Sequence, residues 1–441
     1  MKKFVNREEE LKALEKEFRK NSFSFIVVTG RRRIGKSRLM IESMEGKEGF
    51  RVQMEKRPVE YNLRKFNAAI GNYLNIPAPN FSSFSDAFEF LKKHGKIIIV
   101  IDEFSYLIRY ADVLAEFQSI IDEVLSDSEI KVAVVGSSFS IMKRGLFEYS
   151  SPLYGRSSLW LNLNPLGFIN LLEWFENRDV NEIAMIYGAV GGVPRYLEYF
   201  QGKNARNEIK KNFFSRDSFL FREGREMLEE EFDEPEYYYS ILESVSRGNR
   251  RVVEIGNYAY MEAKNVAKYL KILRDLGIIR KIVPVGRKLK NRGIYEFDDL
   301  YFAFWFRFVA PYFEDIDSGF SAEAIYNYNE GFDIHMGWVM ERIGEEVLPQ
   351  YVDFAPIRFG KFWHKDVEID LVIEGKDDVA FFEIKWGKVT KKDSKRILKS
   401  LTEKSKIYKS GDKKRIYGIF ARDVNLEEKN IVGISLKDIV S

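Results

Sequence analysis

The chain has 441 residues, 31% of them charged, yet the charges nearly cancel to a net +3, and it contains no cysteine. That length exceeds one ordinary core, so two to four domains are expected. The missing cysteine excludes disulfides and thiolate metal sites and suits a reducing compartment, and the balanced charge does not of itself announce nucleic acid.

The opening MKKFVNREEELKALEKEF has no apolar segment of the signal-peptide kind. The longest aromatic run, Tyr301–Phe313, is interrupted by Arg307 and Pro311 and falls well short of the ~20 residues of a membrane span. A cytoplasmic protein without a membrane partner is expected. Abundant lysine and glutamate without cysteine resembles the ion-paired surface of a thermophile protein.

Up to about Leu163 the chain alternates apolar runs with helical patterns. The runs Phe25–Thr29, Ile97–Asp102, Lys131–Gly136 and Leu159–Leu163 read as strands. Strands alternating with helices predict an α/β fold with a mainly parallel sheet covered on both faces. The first strand leads into GRRRIGKS, which fits G-x-x-x-x-G-K-S and opens a helical pattern at Leu39. This is the strand–loop–helix setting of a phosphate-binding P-loop. The expected cradle is Gly30, Arg31, Arg32, Arg33, Ile34, Gly35, Lys36, Ser37 and Arg38. Its backbone N–H groups and the helix N-terminus favour the anion, Lys36 adds a point charge, and Ser37 is a ligand for Mg²⁺. A nucleoside triphosphate is the expected ligand.

The segment KIIIVIDEF places Asp102 and Glu103 at the end of a buried strand. In a parallel sheet that end faces the P-loop. Asp102 is therefore expected to hold Mg²⁺ through water, and Glu103 to orient and deprotonate the attacking water. The following strand ends in Ser137 and Ser138. Both suit a γ-phosphate sensor, and Ser138 equally suits a helix cap. Arg156, in LYGRSS, reads either as an arginine that reaches phosphate or as a paired surface group.

From Phe168 to about Glu231 the pattern is helical, broken at GGVPRYL. From Pro235 helices lead to a basic stretch, Arg287–Arg292, between Val283 and Tyr295. Three helices and a basic hairpin form a winged-helix order. Lys264, Lys268, Lys271 and Arg274 would meet a DNA backbone, with Arg287, Lys288, Lys290 and Arg292 on the wing; a structural lid or protein-binding module is the alternative.

The last segment carries KDVEIDLVIEGKDDVAFFEIKWGK. Two strands joined by the polar turn Gly375–Asp378 are expected. Side chains alternate along a strand, so Glu368 and Asp370 share one face, and so do Glu383 and Lys385. Ile369, Leu371, Phe382, Ile384 and Trp386 fall on the apolar face. Aligned polar faces would bring Asp370, Glu383 and Lys385 together. Two carboxylates hold Mg²⁺ or Mn²⁺, and a neighbouring lysine orients the nucleophile or stabilises the transition state. The helix that follows is lysine-rich on its outer side. His94, His335 and His364 do not cluster in sequence; His364, near the hairpin, reads as a phosphate contact or, more simply, as a packing residue.

Taken in order, FVNREEEL, GRRRIGKS, IDEF, the GSS strand, LYGR and GGVPRYL make the chain resemble archaeal P-loop ATPases of the AAA+/STAND lineage. The D…E-x-K arrangement resembles the PD-(D/E)XK nuclease family, a domain commonly fused to these ATPases. The resemblance implies ATP or ADP as the nucleotide, with adenine contacts from Val5, Arg7 and Pro194 and with Arg195 beside it, although Asn6 stands where the family usually has glycine. It also implies a further metal-binding carboxylate on the helix GWVMERIGEEVL, Glu341 first and Glu345 next. The implied architecture is a P-loop ATPase core over 1–165, a helical lid over 166–232, a winged helix over 233–317 and a restriction-endonuclease-like α/β domain over 318–441. The implied function is an ATP-hydrolysing ATPase that controls a DNA-binding, metal-dependent nuclease domain. Glu103 and Lys36 would serve the first reaction, and Asp370, Glu383 and Lys385 the second. The alternative is a nucleotide-dependent switch or scaffold that binds protein partners and carries a silent nuclease-like domain. A homo-oligomer is compatible with either.

Overall fold

A computed structural model describes residues 4–137, 139–286, 293–426 and 431–440. The chain divides into two compact units, Asn6–Pro165 and Leu166–Ser441, the latter joined by the residues before Asn6.

In the first unit five parallel strands, β1 (Ser24–Gly30), β2 (Gly49–Gln53), β3 (Ile98–Asp102), β4 (Lys131–Val135) and β5 (Leu159–Leu163), lie in the order β2-β3-β4-β1-β5. Every residue of β1, β3 and β4 is buried, as strands covered by helices on both faces must be. The edge strand β2 has a half-exposed pattern and carries Arg51 between buried Phe50 and Val52. That alternation is too short and too polar to announce a strand, and β2 was not among the four expected. Because all five strands run the same way, the P-loop after β1 and the acids that end β3 lie at one edge of the sheet, with β4 between them.

The second unit begins with helices. Val180–Val190 ends at Gly191, whose φ is +61°, and Pro194 opens the short helix Pro194–Leu197. Between them Gly192 meets Leu166: a Cβ there would sit 1.7 Å from the Leu166 carbonyl oxygen, and the Gly192 carbonyl accepts the Leu166 N–H at 2.8 Å. The Gly-Gly pair thus has a packing requirement of its own. The helices Ala205–Phe213 and Phe219–Glu231 come next, then three more, Pro235–Ser246, Val252–Tyr258 and Ala263–Asp275, and an antiparallel pair, β6 (Ile279–Ile282) and β7 (Ile294–Phe297). The basic stretch Arg287–Arg292, with Lys288 and Lys290, lies outside the described residues. Val266, Leu270 and Leu273 are buried along one face of the third helix, as their spacing predicts.

The aromatic run forms the helix Leu300–Phe308, buried along almost its whole circumference. Its polar handles point at backbone: Tyr301 Oη donates to the Leu220 carbonyl at 2.9 Å and Trp305 Nε1 to that of Phe221 at 2.8 Å. No helix among the described residues is long and apolar enough to cross a membrane. The long helix Ala322–Val347 then leads to a mixed sheet, β8 (Arg358–His364), β9 (Val367–Glu374), β10 (Asp378–Val389), β11 (Lys414–Val424) and β12 (Ile431–Ser435), in the order β12-β11-β10-β9-β8. The lysine-rich helix Lys391–Ser405 connects β10 to β11. One apolar core runs from Leu166 to Ile439, while Phe362 of β8 and Leu401 of the lysine-rich helix belong to a second cluster with Ile369, Val372, Val379 and Phe381.

Candidate functional site

The P-loop turns tightly. Gly30 has φ +141°, and a Cβ there would lie 2.6 Å from both Ile34 Cδ1 and the Leu163 carbonyl oxygen. Glycine is required. Gly35 caps the helix Lys36–Ser43 in a left-handed conformation, so Ser37 falls in its first turn. Lys36 is buried, and its Nζ donates to the carbonyls of Gly30 at 2.8 Å and Arg31 at 2.9 Å. The ammonium is already folded back along the loop that a phosphate would enter.

At the end of β3, Asp102 is buried and fully engaged. Its Oδ2 accepts from Arg51 Nη2 at 2.5 Å and from Arg51 Nε at 3.0 Å, and its Oδ1 accepts the Glu103 N–H at 3.0 Å. A cation thus already stands at the carboxylate expected to serve Mg²⁺, and the acidic, oxygen-only donor set of Asp102 and Ser37 fits that ion. Glu103 has φ +55°, a strained conformation for a residue with a side chain. Its Oε2 accepts from Ser137 Oγ at 2.7 Å. Ser137 therefore meets the acid rather than standing alone at the strand end; Ser138 lies outside the described residues.

Arg156 is held elsewhere. Its guanidinium makes a two-pronged pair with Asp122, Nε to Oδ1 at 2.9 Å and Nη2 to Oδ2 at 2.6 Å, and Nη1 donates to the Pro152 carbonyl at 2.7 Å. The pair holds the Asp122 carboxyl below its ordinary range. In this arrangement Arg156 ties two segments of the first unit together.

Asn6 and Arg7 both adopt left-handed backbone, with φ +59° and +88°. Asparagine is among the side chains that best tolerate that region, and its Oδ1 accepts the Arg7 N–H at 2.8 Å. This accounts for asparagine in a place where the resembling family usually has glycine. Arg7 is buried, with Nη1 on Glu10 at 2.9 Å and Nη2 on the Asn164 carbonyl at 2.5 Å. Val5 is buried and Pro194 opens its helix; Arg195 pairs with Glu198 at 2.6 Å on the surface.

The second constellation forms where a sheet opens. Cross-strand partners between β9 and β10 run from Glu374–Val379 to Leu371–Phe382 and end there. Beyond that point the Asp370 carboxylate takes the place of a strand partner, its Oδ2 accepting the Ile384 N–H at 2.8 Å. On the other side β9 bulges. Gly360 faces Val372 and Phe362 faces Ile369, so Lys361 alone opposes both Asp370 and Leu371. Such a bulge re-aims side chains.

Asp370, Glu383 and Lys385 meet. Lys385 Nζ lies 2.8 Å from Glu383 Oε1 and 3.9 Å from Asp370 Oδ2. Leu371, Phe382, Ile384 and Trp386 are buried together on one face, as alternation predicts; Ile369, also expected there, is buried instead with Val372, Val379 and Phe381, because the bulge at Asp370 and Leu371 breaks the alternation. Lys404 reaches Glu383 from the lysine-rich helix at 3.3 Å. Burial, reinforced by the charges of Glu341 and Glu383, pushes the Asp370 carboxyl up to about 7. Burial also acts on Glu383, but Lys385 and Lys404 outweigh it and hold that carboxyl below its ordinary range. The same two carboxylates pull the Lys385 ammonium up against burial. An ammonium between two carboxylates is a stand-in for a hard cation, so the donor set fits Mg²⁺ or Mn²⁺.

Glu341 and Glu345 are engaged apart from that pair. Glu341 Oε2 receives Lys361 Nζ at 2.9 Å. Glu345 receives Arg280 of β6 at 2.6 Å. Among the described residues no three carboxylate or imidazole side chains are placed to hold one ion together. His364 ends β8 opposite Val367, and His335 is buried in the long helix, its Nε2 donating to the Gly188 carbonyl at 2.8 Å.

Against these geometries stand the known proteins. Residues 4–200 match the family of ATPase domains found predominantly in Archaea, and residues 305–397 match a family of archaeal and bacterial proteins of unknown function. An uncharacterized protein of Methanocaldococcus jannaschii is 33% identical over 436 residues, which cover 96% of this chain and 97% of that protein. This chain belongs to that archaeal ATPase family. A shorter likeness, 44% identity over 45 residues, links 10% of this archaeal ATPase to 76% of an uncharacterized ATP-binding protein of the same organism. Among solved structures, a Walker-type ATPase of Pyrococcus abyssi superposes with a TM-score of 0.54 at 20% identity over 69% of this chain and 96% of its own. That likeness is one of fold.

Three engaged residues of the ATPase escape sequence reasoning. Arg51 sits in an edge strand with no motif around it. Lys361 and Lys404 look like ordinary solvated lysines until a bulge and a helix packing turn them toward acids.

Proposed function

We infer that this protein is an ATP-hydrolysing P-loop ATPase that controls a DNA-binding, metal-dependent nuclease domain of the PD-(D/E)XK type. The observation that carries the reading is the convergence of Asp370, Glu383 and Lys385 at the opening between β9 and β10, in a chain that also carries a P-loop and an acid pair at one edge of a parallel sheet. In the ATP site Lys36 leaves the loop carbonyls for the phosphates, and Ser37 with Asp102 holds Mg²⁺. Glu103, oriented by Ser137, takes the proton of the attacking water. Mg²⁺ itself supplies charge neutralisation on the phosphates.

In the second site Asp370 and Glu383 hold the divalent ion, whose part is to acidify water and draw charge from the scissile phosphate. Lys385 then faces the nucleophile. Two basic surfaces support DNA as the substrate. Lys264, Lys268, Lys271 and Arg274 are exposed on the third helix before the β6–β7 hairpin, which we take as the recognition helix of a winged helix. Lys391, Lys392, Lys395 and Lys399 are exposed on the helix that presents Lys404 to Glu383.

The test is incubation of the purified protein with supercoiled plasmid and Mn²⁺, with and without ATP, beside Lys385→Ala. Nicking by wild type and loss of at least about a hundredfold in the variant is the expected result. Equal inertness of both across metals and nucleotide states discards the nuclease and leaves the partner-binding switch.

A further inference from the structure

Lys361 stands apart from every lysine that the nuclease reading uses. It is the single residue of β8 opposite the bulge that carries Asp370. Its carbonyl accepts the Val285 N–H at 3.0 Å, which pins its backbone from the far side. Its ammonium lies 2.9 Å from Glu341 Oε2 and in contact with Glu368 Oε1. Only 17% of its side chain is exposed, against 46% for Lys385. Lys385 can swing out as a divalent ion enters. Lys361 is held by two carboxylates and the sheet, and those carboxylates keep its ammonium charged well beyond neutral pH.

A second metal ion in such a pocket would need Glu341 and a neighbouring acid as ligands. Those acids are already neutralised, at hydrogen-bond distance, by a cation that belongs to the chain. Exposure separates the two sets of acids. The cations on Asp370 and Glu383, Lys385 and Lys404, have 46% and 30% of their side chains exposed and can yield to a divalent ion, while Lys361 stays enclosed between Glu341 and Glu368. We propose that the pocket takes a single divalent cation, bound by Asp370 and Glu383, and that Lys361 occupies the place of a second ion and excludes it. Lys361 is thus a positioning residue that sets metal stoichiometry, and Glu341 is its anchor rather than a metal ligand. The proposal rests on the metal reading of the Asp370–Glu383 pair.

The test is titration calorimetry of the full chain with Mn²⁺, without nucleotide and in an Asp102→Asn background, so that the ATP site contributes no ion. One ion per chain is expected, lost in Asp370→Asn. Lys361→Met should bind two, with electron paramagnetic resonance broadening from neighbouring Mn²⁺ ions, and Lys361→Arg should again bind one. Two ions in the presence of Lys361, or one in a folded Lys361→Met, overturn the proposal while leaving the metal site standing. No ion in the presence of Lys361 overturns the metal reading and the proposal together. Should Lys361→Met fail to fold, Glu341→Gln decides. Retention of the single ion with less than about a tenfold loss of affinity supports its anchor role, and about a hundredfold loss makes it a ligand and sinks the proposal.

Discussion

Arg51 and Asp102, on neighbouring strands β2 and β3, form an ion pair with Nη2 and Oδ2 at 2.5 Å, the carboxylate buried and the guanidinium partly exposed. The pair occupies the carboxylate that Mg²⁺ is expected to use, so arginine and metal compete for it. Removing Arg51 leaves the buried Asp102 carboxylate without its cation. Arg51→Met is therefore expected to unfold at lower temperature than wild type in the absence of nucleotide. A ligand that binds only the folded state restores stability by mass action. The variant should gain more from Mg²⁺ with ATP than wild type does, by about 1–2 kcal/mol. Thermal unfolding with and without Mg²⁺–ATP checks this, and equal gains in both proteins would refute the competition.

The roles of Lys36 and Glu103 separate binding from turnover. Lys36→Ala should lose ATP affinity by at least about tenfold, because its ammonium is the point charge nearest the loop carbonyls. Glu103→Gln should bind ATP with little change and hydrolyse it at least about a hundredfold more slowly, since the amide cannot accept the proton of water. Equilibrium binding of a fluorescent ATP analogue and a phosphate-release assay read the two outcomes. Turnover preserved in Glu103→Gln would remove that residue from the chemistry.

His335 gives the fold an acid limit. Burial, with Arg307 nearby, lowers its imidazole from 6.5 to about 4. The unfolded chain takes up a proton as pH falls below 6.5, while the folded chain refuses it until about 4. Its contribution is therefore complete above pH 6.5 and lost as pH falls toward 4, and the gap amounts to roughly 3 kcal/mol. His335→Gln, which keeps a donor for the Gly188 carbonyl, should flatten that limb. Urea midpoints at pH 7 and pH 4.5 should differ less in the variant than in wild type; an unchanged difference would assign the acid limb to other groups.

Metal uptake at the second site should release a proton. With the Asp370 carboxyl raised to about 7, the metal-free folded chain holds a proton that the unfolded chain has shed. This group's stabilisation is therefore present at low pH and declines as pH rises through about 7, the reverse of the His335 case. Mn²⁺ binds the ionised form, so affinity should climb between pH 5 and about 7 and then level. Calorimetry at pH 6 in buffers of different ionisation enthalpy should register close to one released proton, and Asp370→Asn should register none. A flat affinity profile would contradict the raised carboxyl.

Much of this was legible in the residues, for physical reasons. The apolar run before GRRRIGKS leaves no choice but a buried strand, and the tight turn at Gly30 tolerates no side chain. The period-2 pattern around Asp370 and Glu383 assigns both acids to the polar face of their hairpin. What stayed hidden depends on distant pairing. Arg51 reaches Asp102 only because β2 lies beside β3. Lys361 reaches Glu341 only because a bulge in β9 shifts the register. Arg156 is committed to Asp122 by a segment 34 residues earlier, which no local motif encodes. The aromatic run at Tyr301 reads as apolar in sequence, but its place at the centre of the second unit emerges only from the helices wrapped around it.

The coupling of the two sites is decided by one comparison. Plasmid cleavage in Mn²⁺ is measured with ATP for wild type, Lys36→Ala and Glu103→Gln at equal protein concentration. The account predicts that Glu103→Gln, held with ATP, and Lys36→Ala, held without it, cleave at rates that differ from each other by at least about fivefold, with wild type between them. Identical cleavage by all three would mean that the triphosphate site does not govern the acid–lysine pocket.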